Sequence, residues 1–347
     1  MAEAEPLLEL ADLVTSYRLR PGIGRPGGVV RAVAGVSLTV RAGETVGLVG
    51  ESGCGKSTIA RTIVGLVRPS GGRVLFDGRD LGALPAKELR RLRRDIQLVF
   101  QDPYASLNPR MTVAALIKEA WRIHPGLVPR ERWDDEVRAL LERVGLRAEH
   151  AGRYPHQFSG GQRQRISIAR ALAVRPRLIV CDEAVSALDV SVRAQILNLL
   201  QELQRDLGVS YLFISHDLGV VRHLCDRVAV MYLGKIVETG SKEDIYRSPA
   251  HPYTQALLSA APSLDDWRAD EHGERDEIVL TGDVPSPLDP PTGCRFRTRC
   301  WRAQDLCRDE EPALVERDTG HPVACHFPGA LPPPTTTATG SGRLMKE

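Results

Sequence analysis

An α/β fold with a parallel central sheet is what this sequence predicts, and three observations carry that expectation. Residues 177–180 and 209–214 are near-continuous apolar runs of strand length, the pattern of parallel strands covered on both faces. Between them Ile196, Leu199, Leu200, Leu203 and Leu207 fall on one helical face, with Gly208 placed to end the helix. Upstream, the apolar run Val46–Val49 leads into Gly50-Glu-Ser-Gly-Cys-Gly-Lys56-Ser57-Thr58, a G-x-x-x-x-G-K-S loop followed by a helical pattern. Strands that alternate with helices in this way mean a parallel core.

Taken in order, residues 7–20 and 29–41 read as strands, separated by the Gly/Pro-rich PGIGRPGG, an exposed loop. Thr45–Gly50 is a buried strand and Ser57–Leu66 the helix after it. The arginine run over residues 87–94 reads as a solvated helix face with Leu89 and Leu92 turned inward, rather than as a nucleic-acid contact. Ile96–Phe100 is a further short strand. Residues 112–150 are mostly helical, with breaks around Trp121 and Trp133. Phe158-Ser159-Gly160-Gly161-Gln162 opens a helix whose apolar face runs Ile166, Ala169, Leu172, Ala173. Val228–Tyr232 and Lys235–Glu238 form a hairpin through Leu233-Gly234. Beyond Pro262 the pattern dissolves into Pro- and Cys-rich sequence, and residues 331–347 read as a disordered tail.

A chain of 347 residues holds two domains, or one large domain with an appendage. Its 42% hydrophobic and 26% charged residues are ordinary for a soluble globular protein. A net charge of +2 provides no global field for nucleic acid or anionic lipid. No apolar stretch reaches membrane-spanning length, and the acidic start MAEAEPLLEL lacks a secretory leader pattern. The expected location is cytoplasmic, with any membrane spans supplied by another subunit.

The chemistry concentrates in four places. In the glycine loop, Gly50, Ser52, Gly53, Cys54 and Gly55 let consecutive N–H groups and a helix start wrap an anion. Lys56 then reaches the β- and γ-phosphates of a nucleotide, and the Ser57 hydroxyl ligates Mg²⁺. Leu178-Ile-Val-Cys-Asp182-Glu183 is an apolar strand ending in two carboxylates, Asp182 for the metal and Glu183 for the attacking water. Ser159-Gly160-Gly161 at a helix start is a second anion cradle, or else a plain capped turn. One nucleotide does not need two cradles from one chain, whereas two chains facing head to tail would each close the other's site.

Together these motifs resemble the ATP-binding subunits of ABC transporters, over roughly residues 7–260. Gly50–Ser57 with Thr58 matches the Walker A loop and Gln101 the Q-loop glutamine, which the resemblance also places near Mg²⁺. Ser159–Gln162 matches the signature, Leu178–Asp182 with Glu183 the Walker B strand and catalytic glutamate, Ser186–Asp189 the D-loop, and His216 the switch histidine. Tyr17 stands where an aromatic would stack on adenine. Ala184 departs from the family's proline, which should loosen that turn slightly. The resemblance implies a P-loop NTPase core with an antiparallel β-subdomain, a helical signature subdomain at about 102–165, and a small Cys-rich extension. It implies an ATP-binding domain over 5–261 and a peptide-importer-type region over 262–330.

Gln101-Asp-Pro-Tyr-Ala-Ser-Leu-Asn-Pro-Arg-Met111, Tyr154-Pro-His-Gln-Phe-Ser, His251-Pro-Tyr-Thr-Gln-Ala-Leu-Leu258 and the Cys-rich region are similar to the oligopeptide/dipeptide importer ATPases, most of all their F-type subunit. That branch implies a second ATPase subunit as heterodimer mate, two membrane permeases and an extracytoplasmic solute-binding protein, with the chain peripheral on the cytoplasmic membrane face and no nucleic acid bound. Rival expectations are the same role for nickel or an opine-like solute, a soluble ABC ATPase outside transport, and a degenerate half-site. Intact Lys56, Glu183, Ser159 and His216 argue against the last. Cys294-x₅-Cys300-x₆-Cys307-x₁₇-Cys325 does not have the close pairing of zinc sites. The resemblance implies a [4Fe–4S] cluster there, with zinc or free thiols as alternatives; His321 and His326 could substitute as ligands or support them, but read rather as surface residues.

Overall fold

The computed structural model describes residues 5–19, 27–260 and 278–329. Most of the PGIGRPGG loop and all of the tail over residues 331–347 lie outside the described residues. The chain opens with two long strands, β1 (Leu8–Leu19) and β2 (Gly28–Val40), paired antiparallel. β3 (Thr45–Val49) runs into the glycine loop and α1 (Lys56–Ile63). α1 stops three residues before Leu66, where Gly65 takes a φ of 70°. β4 (Gly71–Phe76) and β5 (Arg79–Asp80) complete a four-stranded sheet in the order β2-β1-β4-β5.

α2 (Ala86–Leu92) has Leu92 buried and its arginines outward, as the sequence predicts. β6 (Ile96–Val99) and the short α3 (Pro103–Ser106) lead to α4 (Val113–Ile123) and α5 (Trp133–Arg143). Trp121 lies inside α4, so the helical break falls after it, at residues 124–129. There the Trp133 indole N–H, on the first turn of α5, bonds the Val128 carbonyl at 3.0 Å. α6 (Gly160–Leu172) carries the signature at its start, followed by β7 (Leu178–Asp182), α7 (Val190–Leu207), β8 (Ser210–Ser215) and α8 (Leu218–Leu224). Gly208 ends α7 with a φ of 66°, but Leu207 in the last turn is 44% exposed, off the face that buries Ile196, Leu199, Leu200 and Leu203.

The hairpin expected at 228–238 is β9 (Arg227–Tyr232) and β10 (Lys235–Ser241), followed by α9 (Lys242–Arg247) and α10 (Pro252–Ser259). The large sheet has the order β9-β3-β8-β7-β6 in its parallel part. Its strands explain their unbroken apolar sequence. On β7 and β8, Ile179, Cys181, Tyr211 and Phe213 face the core under the helices. Leu178, Val180, Leu212 and Ile214 face the core shared with α1 and the antiparallel sheet.

The Cys-rich region is tied into this scaffold. After α11 (Asp305–Asp309), β11 (Val315–Glu316) and β12 (Pro322–Val323) add to the sheet edge, with Val323 opposite Glu238 of β10. His321, expected at the surface, is 3% exposed, and its Nε2 lies 2.7 Å from Glu238 Oε1. Glu238 also accepts the backbone N–H groups of Ala250 at 2.6 Å and His251 at 3.1 Å. His326 is half-buried, with Nε2 3.0 Å from the Glu310 carbonyl.

The hydrogen bond to Glu238, with Asp244 adding its charge, raises the His321 pKa above the ordinary 6.5, although burial opposes it. A raised imidazole pKa contributes stability that is complete below the unfolded value and fades as pH climbs through the folded one. Burial pulls neighbouring His251 down to about 4, below the pH range compared. His321→Gln should therefore cost about 2 kcal/mol at pH 6, read as a lower urea midpoint. The gap to wild type should narrow at pH 8.5; a gap that widens there contradicts the assignment.

Candidate active site

The glycine loop is threaded so closely that side chains are excluded. Gly50 has a φ of 151° and Gly55 a φ of 112°. A Cβ on Gly50 would come within 2.1 Å of the Met231 carbonyl oxygen, and one on Gly55 within 2.1 Å of that of Ala32. Lys56 is buried, and its ammonium donates to the carbonyls of Gly50 at 2.7 Å and Glu51 at 2.9 Å, arching over the loop. The Tyr17 hydroxyl lies 3.5 Å from Thr58 Oγ1, which places that ring beside the start of α1.

Ser57 Oγ donates to Asp182 Oδ1 at 2.9 Å, joining the loop to the end of β7. Burial pushes the Asp182 carboxyl above the usual carboxylate range and Glu183 adds to that, while the Ser57 hydroxyl and the Arg61 and Lys56 charges oppose it. A hydroxyl and a half-desolvated carboxylate in contact are a donor set that suits Mg²⁺, since a cation there removes the cost of ionising Asp182.

Three further side chains meet at one oxygen. Gln101 Nε2 donates to Glu183 Oε2 at 3.0 Å, and His216 Nδ1 lies 3.4 Å from the same atom. Adjacency explains the meeting: β6, β7 and β8 are neighbours in parallel register, so residues just past their carboxyl ends converge. Glu183 has a φ of 48°, a strained backbone for a non-glycine residue. Its N–H bonds the Ile214 carbonyl at 3.0 Å, and its carbonyl accepts from Ser186 N at 3.1 Å and Oγ at 3.0 Å. These bonds hold the turn that Ala184 was expected to loosen.

Ser159 caps α6 in a reciprocal box with Gln162: its Oγ accepts from Gln162 N at 3.3 Å, and Gln162 Oε1 accepts from Ser159 N at 3.1 Å. A Cβ on Gly161 would come within 2.3 Å of Val192 Cγ1, so this helix start is packed against α7 rather than the glycine loop of its own chain. Asp189 sits at the N-cap of α7 without a side-chain bond to that helix. Arg193, which no motif singles out, bonds Asp217 Oδ2 at 2.7 Å and the Leu188 carbonyl at 3.3 Å, linking the residue after His216 to the D-loop. The segment after Gln101 is clipped to α6. Arg170 donates to the Ser106 carbonyl at 2.7 Å, and the Arg163 guanidinium lies 3.6 Å from the centre of the exposed Tyr104 ring.

The four C-terminal thiols come within electrostatic reach of one another without forming a ligand set. Burial pushes Cys300 up to about 11 and Cys325 up to about 12, and both are raised further by the other thiols. Among the described residues, however, no group of three or more His, Cys, Asp or Glu side chains is gathered to hold a metal ion. The ligand geometry implied for a [4Fe–4S] cluster is not assembled. The backbone that carries these thiols is anchored at the sheet edge and by Phe296, 1% exposed.

A glycine loop leading into α1, a strand end whose Asp182 meets Ser57, and Gln101 and His216 gathered on Glu183 are arranged on this fold as in a nucleoside triphosphatase of the ATP-binding-cassette class. The family model "ABC transporter" matches residues 33–186 and "Oligopeptide/dipeptide transporter, C-terminal region" matches residues 237–307. The chain is 52% identical to the oligopeptide transport ATP-binding protein AppF of Bacillus subtilis, over 94% of its own length and 98% of that protein. It is 50% identical to the oligopeptide transport ATP-binding protein OppF of Salmonella typhimurium, over 92% and 95% of the two chains. Among solved structures, the dimeric post-hydrolysis state of the ATP-binding cassette MJ0796, bound to ADP and Pi, superposes with a TM-score of 0.60 at 30% identity. That match covers 68% of this chain and 98% of the other. The chain belongs to the ATP-binding proteins of the oligopeptide/dipeptide ABC transporter family, and is an ATPase. Among the described residues no helix is long and apolar enough to cross a membrane.

Proposed function

We propose that this chain hydrolyses ATP to drive uptake of di- and oligopeptides through a pair of membrane permeases, from the cytoplasmic face. The observation that carries the site is the convergence of Gln101 and His216 on one oxygen of Glu183, beside the Ser57–Asp182 pair. Gly50–Thr58 cradle the triphosphate, Lys56 turns from the loop carbonyls to the β- and γ-phosphates, and Tyr17 packs on the base. Ser57 and Asp182, with Gln101 nearby, would hold Mg²⁺, which when bound would neutralise charge developing on the phosphates. Glu183 takes the proton of the attacking water, while His216 and Gln101 orient that carboxylate.

Ser159–Gln162 and Asp189 serve the site of a second, related ATPase in a head-to-tail heterodimer. The exposed Tyr104 segment, fixed to α6 by Arg163 and Arg170, docks on a permease and links Gln101 to it. Closure on ATP and reopening after hydrolysis then move the permease pair. An external solute-binding protein supplies the peptide. Similarity to proteins named for oligopeptide transport supports the cargo. An iron–sulfur cluster on Cys294, Cys300, Cys307 and Cys325 is no part of this proposal, because the thiols as placed form no ligand set.

Reconstitution with the two permeases, the partner ATPase and the binding protein tests the cargo. ATPase activity should rise several-fold when the binding protein carries a di- or oligopeptide, and stay at its basal level with nickel or an opine. Stimulation by nickel or an opine, with none from peptides, would move the same machine to the rival solute.

A further inference from the structure

We infer that Arg299, in the Cys-rich region, is a positioning residue for ATP binding: it pins the phosphate loop and cancels the Glu51 carboxylate within it. Glu51 occupies a variable position of the G-x-x-x-x-G-K-S loop, and the two residues lie 248 apart in sequence. Arg299 Nη1 sits 3.0 Å from Glu51 Oε1 and 2.8 Å from Oε2, and the arginine side chain is 8% exposed. The Glu51 side chain is 25% exposed, so the pair is partly buried, and removing the arginine leaves the carboxylate uncompensated beside the loop.

The loop is held at more than this point. The Glu51 backbone N–H donates to the Tyr253 hydroxyl at 2.8 Å, and the Glu51 carbonyl accepts from Lys56. Phe296, one turn before Arg299, fills an aromatic cluster beneath the loop, its ring centre 5.2 Å from Tyr232 and 5.4 Å from Tyr253. Arg295 donates to the Leu233 carbonyl, and the next residue, Gly234, donates its N–H to the Cys54 carbonyl at 2.8 Å. The region therefore grips the loop near both Glu51 and Cys54. A loop with glycines at 50, 53 and 55 has little stiffness of its own, so restraint from outside lowers the ordering cost of binding. A carboxylate inside an anion-binding loop also opposes a triphosphate unless a cation neutralises it.

The inference rests on the loop being the nucleotide site, which wild-type binding in the same titration checks separately. The test is equilibrium titration of the full-length chain with a fluorescent ATP analogue and Mg²⁺, alongside thermal unfolding. Arg299→Ala should weaken binding about tenfold by exposing the Glu51 charge. Arg299→Lys should lose less than Arg299→Ala, within about threefold of wild type, because it keeps the positive charge facing Glu51 although not the guanidinium contact to both oxygens. Glu51→Gln combined with Arg299→Ala should recover most of the loss, because no bare carboxylate remains. A mere anchor for the C-terminal region would give no recovery in the double variant. Unchanged binding in Arg299→Ala, or a loss that neither Arg299→Lys nor the double variant restores, overturns the inference. Should Arg299→Ala unfold, the other two variants decide alone.

Discussion

Glu183→Gln will keep ATP binding within about twofold of wild type and lower turnover by about a thousandfold, the usual scale for losing a positioned base. The amide preserves the size of the side chain and accepts a hydrogen bond from Gln101, but it cannot take a proton. The backbone around it should not move. The turn is held by its bonds to Ile214 and Ser186, and the strained φ of 48° at residue 183 is set by those bonds rather than by the carboxylate. With turnover stopped and binding intact, ATP should trap a closed dimer with the partner ATPase, visible as a shift to larger size on gel filtration. Hydrolysis at the wild-type rate would remove the role of Glu183 outright.

Ser159→Arg carries the second large effect and tests how the two ATPase chains share their sites. Ser159 is exposed and its hydroxyl caps α6, whose start leans on Val192 of α7. Among the described residues the start of α6 makes no hydrogen bond to the phosphate loop of the same chain, so an arginine should leave the isolated chain's ATP affinity within about twofold. In the heterodimer the same arginine fills the cradle facing the partner's nucleotide, and turnover should fall about a hundredfold. Both quantities come from one preparation: nucleotide titration of the chain alone, then ATPase of the assembled pair. Loss of ATP binding in the isolated chain would place the signature in that chain's own site and end the head-to-tail arrangement.

Much of this architecture was legible because each signal was local or strongly periodic. The phosphate loop declared itself through glycines at positions where a Cβ has no room, and β7 and β8 through runs in which odd and even residues serve two different cores. The fold class followed from those. The meeting of Gln101, Glu183 and His216 was legible only as three separate motifs. What joins them is strand order, with β6, β7 and β8 side by side, and order is not written in any one segment.

The C-terminal region was the hardest to read, for two physical reasons. Strands β11 and β12 are two residues each, too short for a period, so their place on the sheet edge leaves no pattern. The metal expected at Cys294, Cys300, Cys307 and Cys325 rested on family resemblance, since their gaps lack the close pairing of zinc sites. The burial of His321 against Glu238, the aromatic plug at Phe296 and the Arg299–Glu51 pair are long-range contacts between residues of ordinary type. Arg193 was missed likewise, since an arginine on the first turns of a helix carries no motif.

The central claim is that ATP hydrolysis at Glu183 powers peptide import. Its most direct test is uptake of labelled di- and oligopeptides by cells whose only copy of this chain carries Glu183→Gln, compared with wild type. Peptide uptake should fall to background while the variant accumulates to the wild-type level, folded and able to bind ATP. Wild-type peptide uptake by those same cells would contradict the claim.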